Sequence, residues 1–465
     1  MLTLWRRPNR RNSQPLPLLK KLFWLYFLLL VFEGALRKWI LPHYSAPLLL
    51  IRDPVGFWII WEAYRTRKWP QKWSALIGVL TLATLSLCVV QMIFNTDPWF
   101  VEIYGLRSYL LPFPVAFIMG ENLDADDFRR FGLCILWLLL PLTGLELAQY
   151  LAPPTGWLNA GAYANASQII YAGGHARASG TFSYDVGPIN FNALAGAFIL
   201  NGFVSEKFAK KWLLWAALFA LILSVPLIGA RTLVYELGAE VICFAIAASF
   251  GISQFTKAIK IVVPILIIGV AISYVPIFRD ASSTLSTRFS QASTSEGDTQ
   301  QVLIARVLDP FVKKLDPSNY SNGWIGVGMG RGAAAIAKLL VGTPEFLTGE
   351  LEVDRVMNEF GPIFGLAFIV FCTFLAAILL GKALSRARNH EPLPLLLAPA
   401  MLACLLIGVL EQPTEQGFMV FTLALSLAAT RLTGVAGLPV QVPNVRWQRP
   451  LSSPSPRPRR PLSNS

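Results

Sequence analysis

The stretch Val356-Met-Asn-Glu-Phe-Gly-Pro-Ile-Phe-Gly-Leu-Ala-Phe-Ile-Val-Phe-Cys-Thr-Phe-Leu-Ala-Ala-Ile-Leu-Leu380 is 25 residues long and carries one charge, Glu359. A helix that crosses a bilayer needs about 20 predominantly apolar residues. This stretch meets that need, and it is not alone. Moving outward in both directions, similar runs recur at about 22–41, 47–63, 73–94, 107–120, 131–152, 188–204, 212–229, 232–250, 261–278, 393–411 and 417–432. The runs at 47–63 and 107–120 are short enough to be re-entrant. Of the 465 residues, 54% are apolar and only 14% charged, and mean hydropathy is +0.52. A soluble domain carries about 25% charged residues to cover its surface. The composition therefore excludes a soluble enzyme, and the apolar runs exclude a disordered chain. The expected fold is all-α: a polytopic integral membrane protein with about 12 transmembrane helices. The first run lacks a small-residue cleavage site after its core and reads as an uncleaved anchor.

Charge sets the orientation. Lys and Arg total 40 against 27 Asp and Glu, a net charge of +13. In a soluble chain such an excess would point to nucleic acid. Here the cations sit in short clusters between apolar runs, which reads as membrane topology and not as nucleic-acid binding. The clusters at Arg6–Lys21, Arg65–Lys72, Arg129/Arg130, Lys207–Lys211, Lys257/Lys260, Lys382–Arg388 and Arg431–Arg460 hold 26 of the 40 cations. Twelve spans place every cluster on one face, the cytoplasmic one, with both termini there. The expected organisation is a basic N-terminus at 1–21, helices one to nine across 22–278 with an outer loop at 153–187, a large and partly helical outer loop at 279–355, helices ten to twelve at 356–432, and a basic tail at 433–465. The tail is rich in Pro, Ser and Arg and is expected to be disordered. The five cysteines lie inside apolar runs, where they read as small packing residues.

Fourteen cations break this rule, and ten of them are arginines: Arg37, Lys38, Arg52, Arg107, Arg177, Arg231, Arg279, Arg288, Arg306, Lys313, Lys314, Arg331, Lys338 and Arg355. Arginine in or beside hydrocarbon costs about 2.5–3.5 kcal/mol on insertion scales. Its planar fork also matches phosphate. Outer arginines therefore call for an anionic partner, most simply a lipid phosphate or diphosphate. Three stand out. Arg231 lies in the tight hairpin Gly229-Ala-Arg-Thr232, Arg177 in the polar loop His175-Ala-Arg-Ala-Ser-Gly-Thr-Phe182, and Arg306 in the amphipathic stretch Gln301–Phe311. Capping of a helix end by Arg231, a solvated loop position for Arg177, and an Arg306–Asp309 surface pair are the plainer alternatives.

The acids fall into two groups. Glu352, Arg355 and Glu359 are spaced i, i+3, i+7 and share one helix face at the outer boundary. A carboxylate there can act as general base for an acceptor hydroxyl, with Arg355 orienting it or binding phosphate. A salt-bridged helix start is the alternative. Glu146, Glu236 and Glu240 fall inside spans, where an acid either neutralises an arginine or relays protons. Glu33 and Arg37, four residues apart, are expected to pair. The run Gly323-Trp-Ile-Gly-Val-Gly-Met-Gly-Arg-Gly332 has no dinucleotide-binding register and no Walker lysine. It is either a flexible loop or a set of backbone amides that cradle phosphate. No His/Cys cluster marks a metal site, and no cofactor is expected.

Several outer features together resemble the O-antigen ligase and polymerase superfamily, integral-membrane glycosyltransferases of the GT-C class. They are Arg177-x-x-Gly180-Thr-Phe followed by Pro188-x-Asn190; the Arg231 hairpin; Arg306 with Asp309-Pro310; Gly326-Val-Gly-Met-Gly330; and Glu359-x-Gly361 with Gly365. The resemblance implies transfer of a glycan from a polyprenyl-pyrophosphate-linked oligosaccharide donor to a glycan acceptor, on the outer face of a bacterial inner membrane, without metal or nucleotide sugar. Other polysaccharide-assembly proteins are implied partners. By the same resemblance Arg177, Arg231, Arg306 and His175 would bind the diphosphate and substrate, and Glu352, Glu359 and Arg355 would carry the chemistry. Ligases of this superfamily tend to carry a His in the large loop, and 279–355 has none. That favours a polymerase for O-antigen or exopolysaccharide over a ligase. The competing expectation is a 12-helix secondary transporter or lipid-linked-glycan flippase, although no internal repeat is visible.

Overall fold

The computed structural model describes residues 17–95, 97–162, 175–205, 208–250, 283, 323–341 and 352–432. Among the described residues the fold is all-helical, with no β-strand. The principal helices are α1 (Leu18–Ala35), α2 (Arg52–Arg65), α3 (Ser74–Phe94), α4 (Phe100–Leu110), α5 (Pro112–Asn122), α6 (Ala125–Leu151), α7 (Val186–Val204), α8 (Lys211–Ile228), α9 (Arg231–Ser249), α10 (Ala334–Val341), α11 (Glu352–Arg388), α12 (Ala398–Ile407) and α13 (Pro413–Arg431). Among the described residues six helical stretches are long and apolar enough to cross a membrane: Gln71–Phe94, Phe100–Asn122, Ala125–Leu151, Lys211–Ile228, Arg231–Ser249 and Glu352–Arg388. The expected span at 261–278, much of the expected loop at 279–355, and the tail at 433–465 lie outside the described residues.

Local chemistry explains the helix ends. Asp124 caps α6: its side chain accepts from the Asp127 amide at 2.8 Å, and its own amide donates to Asp127 Oδ2 at 3.3 Å. This reciprocal pairing satisfies two of the donors that a helix start leaves open. At its far end, α8 stops at Gly229, whose φ of +60° only glycine adopts without strain, and α9 begins two residues later at Arg231. Within α11, Gly361 has φ +75° and Pro362 follows it, so the outer turns of that helix are set at an angle to the rest.

Two helices form the centre of the bundle. Every residue of α13 from Pro413 to Ala429 is buried, and α7 is buried from Gly187 to Gly202. A helix that is apolar on all sides belongs inside a bundle. α5 lies against α13 closely enough that a Cβ on Gly120 would sit 2.6 Å from Leu427 Cβ. Phe27, Phe131 and Phe421 interlock from α1, α6 and α13, with ring centroids 4.8–5.5 Å apart. Around this centre, Val79, Leu82, Ile93, Trp137, Ile242, Val370 and Phe374 point outward and exposed. A broad apolar exterior of this kind suits hydrocarbon and not water.

Polar contacts collect at the two ends of the bundle. At one end, Lys20 meets Asp124 and Asp127, Asn122 donates to the Lys68 carbonyl at 2.9 Å, Lys382 lies over Trp73, and Arg386 donates to the Arg431 carbonyl at 3.1 Å. These residues come from the start of α1 and α6, the connection before α3, and the ends of α5, α11 and α13. At the opposite end lie the end of α1, the starts of α2, α7, α11 and α13, and the turn between α8 and α9.

Candidate functional site

The site is built on the angled start of α11. Opposite the bend runs the glycine-rich segment, and the two backbones touch. A Cβ on Gly326 would lie 2.4 Å from the Glu359 carbonyl oxygen, and one on Gly361 would lie 2.3 Å from the Trp324 carbonyl oxygen. Gly326, Gly328 and Gly330 all have positive φ, so the run needs glycine for both space and dihedral angle. Its amides bind a carboxylate, as such a nest should, but the carboxylate is the protein's own. Gly330 N donates to Glu359 Oε2 at 2.9 Å and Gly332 N to Oε1 at 2.8 Å, and the Tyr109 hydroxyl donates to Oε2 at 3.3 Å. Gln91 of α3 completes the clasp. Its amide donates to the Glu359 carbonyl at 2.6 Å and accepts from Met329 N at 2.9 Å. The run is thus neither loose nor turned toward an external phosphate at these two amides.

Glu352 and Arg355, on the same buried face, are placed differently. Arg355 donates to Glu411 Oε2 at 3.2 Å, and both side chains are almost wholly enclosed. Glu352, Glu359 and Glu411 all lie within electrostatic reach of the Arg355 guanidinium. Neither oxygen of Glu352 reaches hydrogen-bond geometry with a donor among the described residues, although the Leu410 amide is near. An acid 6% exposed and without a bonded partner is costly to keep. A buried acid of this kind is a candidate functional residue.

Sequence reasoning missed the segment that joins these parts, Glu411-Gln-Pro-Thr-Glu-Gln416, which leads into the first turn of α13. Its polar groups reach four helices besides its own. Glu411 holds Arg355 of α11, and the Pro413 carbonyl accepts from Arg52 of α2. Glu415 Oε2 accepts from Asn190 of α7 at 2.8 Å. Gln416 accepts from Arg107 of α4 at 3.2 Å and donates to the Ser108 carbonyl at 3.0 Å. The available signal was a dense polar hexapeptide with two acids between two apolar runs.

The expected binding arginines occupy separate neighbourhoods. Arg177 forms an ion pair with Asp185 just before α7, and Asp185 is an electrostatic neighbour of Glu415. Arg231 opens α9, five residues ahead of Glu236, and Glu236 also neighbours Glu415. Of these arginines' neighbours, Asp185 and Glu236 both lie within electrostatic reach of Glu415 at the start of α13. His175 stacks on Tyr150 with ring centroids 4.3 Å apart, and its Nδ1 lies 3.0 Å from the Tyr150 carbonyl. Arg306 lies outside the described residues.

A second knot of cations lies beside this element. Arg37 and Arg52 both pair with Glu33, at 3.1 and 3.3 Å. The i, i+4 pair expected from the sequence thus gains a second arginine. Lys38 donates to Ser179 Oγ at 2.6 Å and to the Gly180 carbonyl at 3.0 Å. All three cations are buried. A small cavity of about 10 Å³ lies between Arg52, Tyr26, Asp53 and Gln416, room for about one water. Deeper in the bundle, Glu146 accepts from Ser224 at 2.5 Å, while Glu240, packed against Gly196, has no hydrogen-bond partner for either oxygen among the described residues.

No protein-family model matches the chain, and no curated protein matches it.

Proposed function

We propose that this protein is a multi-pass membrane glycosyltransferase that polymerises polyprenyl-pyrophosphate-linked glycan units on the outer face of a bacterial inner membrane. Twelve spans with cytoplasmic termini suit the collection of polar groups at two opposite ends. The observation that carries this proposal is Glu352: a buried carboxylate with no hydrogen-bonded partner among the described residues, within electrostatic reach of the Arg355 guanidinium at the start of α11. In the proposed step Glu352 takes the proton of the acceptor hydroxyl as that oxygen bonds to the anomeric carbon of the donor sugar. The bond from that carbon to the diphosphate oxygen breaks with its electron pair, and the lipid diphosphate leaves with inversion at the sugar. Arg177, Arg231 and Arg306 hold the diphosphate and stabilise its charge, and Arg355 assists. Glu359 anchors the glycine run and keeps α11 bent.

The test is reconstitution. Purified protein in lipid, given a lipid-diphosphate oligosaccharide, should yield products one or more repeat units longer. Arg231→Ala and Arg177→Ala should abolish long products at normal expression. Chain lengths unchanged in both variants would remove the assignment. One observation favours a second reading. Glu240, unbonded near the middle of α9, suits a transporter or flippase that binds a proton at mid-membrane. Movement of the lipid-linked glycan without any new glycosidic bond would select it.

A further inference from the structure

The segment Glu411–Gln416 carries one feature that tying the bundle together does not explain. Four of its polar side chains are buried, and Glu415 and Gln416 are each hydrogen-bonded to a neighbouring helix. Glu411 is only half used. Its Oε2 accepts from Arg355, while its Oε1 meets no N–H donor among the described residues and its carboxyl lies against that of Glu359, within electrostatic reach of Glu352. Three carboxyl groups thus lie within electrostatic reach of one guanidinium, and Glu411 bonds to it. A pairing made only for packing would use one acid, because each further buried acid near the same cation adds repulsion and desolvation cost. Glu359 has its own anchor in the Gly330 and Gly332 amides. The excess lies with Glu352 and Glu411.

We propose that Glu411 is a positioning residue for the transfer reaction: it holds and neutralises Arg355 so that Glu352 keeps the basicity needed to take the acceptor's proton. This inference rests on the glycosyltransferase reading. Without Glu411 more of the guanidinium's charge would act on Glu352 and hold it as a weakly basic carboxylate. With Glu411 in place the guanidinium is already engaged from the α13 side. It can then stay close to the reacting groups without capturing the base. The titratable groups facing this pair are Glu359 and Cys372 on α11, Tyr109 from α4, Glu411, and Glu415 from α13; α9 contributes Glu236, which faces Glu415. None of them besides Glu411 has a hydrogen bond to Arg355 among those described above.

The experiment is the pH dependence of glycosidic-bond formation by purified full-length protein in lipid vesicles, with a lipid-diphosphate oligosaccharide as donor. In Glu411→Gln the acid limb of the rate profile should move to lower pH by roughly one unit, because removing one negative charge exposes Glu352 to the full guanidinium. The plateau rate should fall on the order of tenfold as the base weakens. Glu411→Asp should restore the wild-type acid limb. A purely structural Glu411 would lower the rate at every pH by one factor, with the limb unmoved, and that result overturns the inference. Loss of folding in both E411Q and E411D would overturn it as well, since the side chain would then be needed for assembly alone. A wild type that forms no glycosidic bond overturns this inference together with the reading beneath it. An active wild type whose E411Q profile is unshifted overturns only the role of Glu411.

Discussion

Glu359 and Glu352 stand seven residues apart on one helix face, and replacing each with glutamine should have opposite consequences. Glu359 accepts from two backbone amides at 2.8 and 2.9 Å and from Tyr109. A glutamine keeps one oxygen and turns its amide nitrogen toward a backbone donor. Glu359→Gln therefore loses a charge-assisted bond worth about 1.5–3 kcal/mol and leaves a buried amide unpaired at about 1–3 kcal/mol. Relief of repulsion with Glu352 and Glu411 offsets part of this, leaving a net loss of about 3 kcal/mol. Thermal unfolding in detergent should then start lower by on the order of 5 °C. Glu352→Gln replaces an equally buried acid and breaks no side-chain hydrogen bond among the described residues. It should unfold at the wild-type temperature or above while losing transfer activity, as happens where a destabilising group is kept for function. Equal unfolding temperatures for wild type and Glu359→Gln would refute the anchoring role. A fall in Glu352→Gln as large as that in Glu359→Gln would refute the distinction between the two acids.

Three further outcomes are expected. Gly326→Ala places a methyl 2.4 Å from the Glu359 carbonyl at a φ of +79°; strain of about 1–3 kcal/mol plus the backbone clash should lower folded yield below that of Glu359→Gln, read by size-exclusion recovery. Arg107→Lys exchanges a fork for a point charge, and Arg107 reaches Asp53 Oδ1 at 2.9 Å and Gln416 at 3.2 Å; the variant should lose about 1–3 kcal/mol and loosen the start of α13, seen as faster hydrogen exchange over 413–417. Burial alone would raise the Asp124 carboxyl, but hydrogen bonds from Lys20 and the Asp127 amide outweigh it and hold that carboxyl below its ordinary value. Burial alone would lower the Lys20 ammonium, but Asp124 and Asp127 outweigh it and raise that group. Their mutual stabilisation is therefore present above the ordinary carboxylate range and below the ordinary lysine range, about pH 5 to 10. The difference in unfolding temperature between wild type and Lys20→Gln should be level across that window and shrink on both sides, and it should be small and salt-sensitive because Asp124 is largely exposed.

The apolar runs made most helices legible, because burial in hydrocarbon demands length and composition that few other structures share. Boundaries drifted where the chain bends. The run expected at 107–120 belongs to a longer stretch, Phe100–Asn122, that changes helix at Pro112. The run expected at 393–411 is split into Leu393–Leu396 and Ala398–Ile407. The face shared by Glu352, Arg355 and Glu359 was readable from helical spacing, since those residues are neighbours in sequence. Their unequal roles were not, because the amides that separate them belong to Gly330 and Gly332, some twenty to thirty residues away in the chain. Glu411 escaped notice for the same reason: its partner Arg355 is 56 positions away. Arg52 was visible as an outer cation, but its contact with Pro413 spans 361 positions.

That last separation bears on how the molecule is made. Arg52 and Arg107 are made early in synthesis, yet the carbonyl of Pro413 and the side-chain amide of Gln416 that receive them arrive with the final helix. Until then the two guanidinium groups have only part of their ligands in hand. A chain that ends before α13 would leave both guanidinium groups short of a ligand, and completion of the last helix supplies both at once.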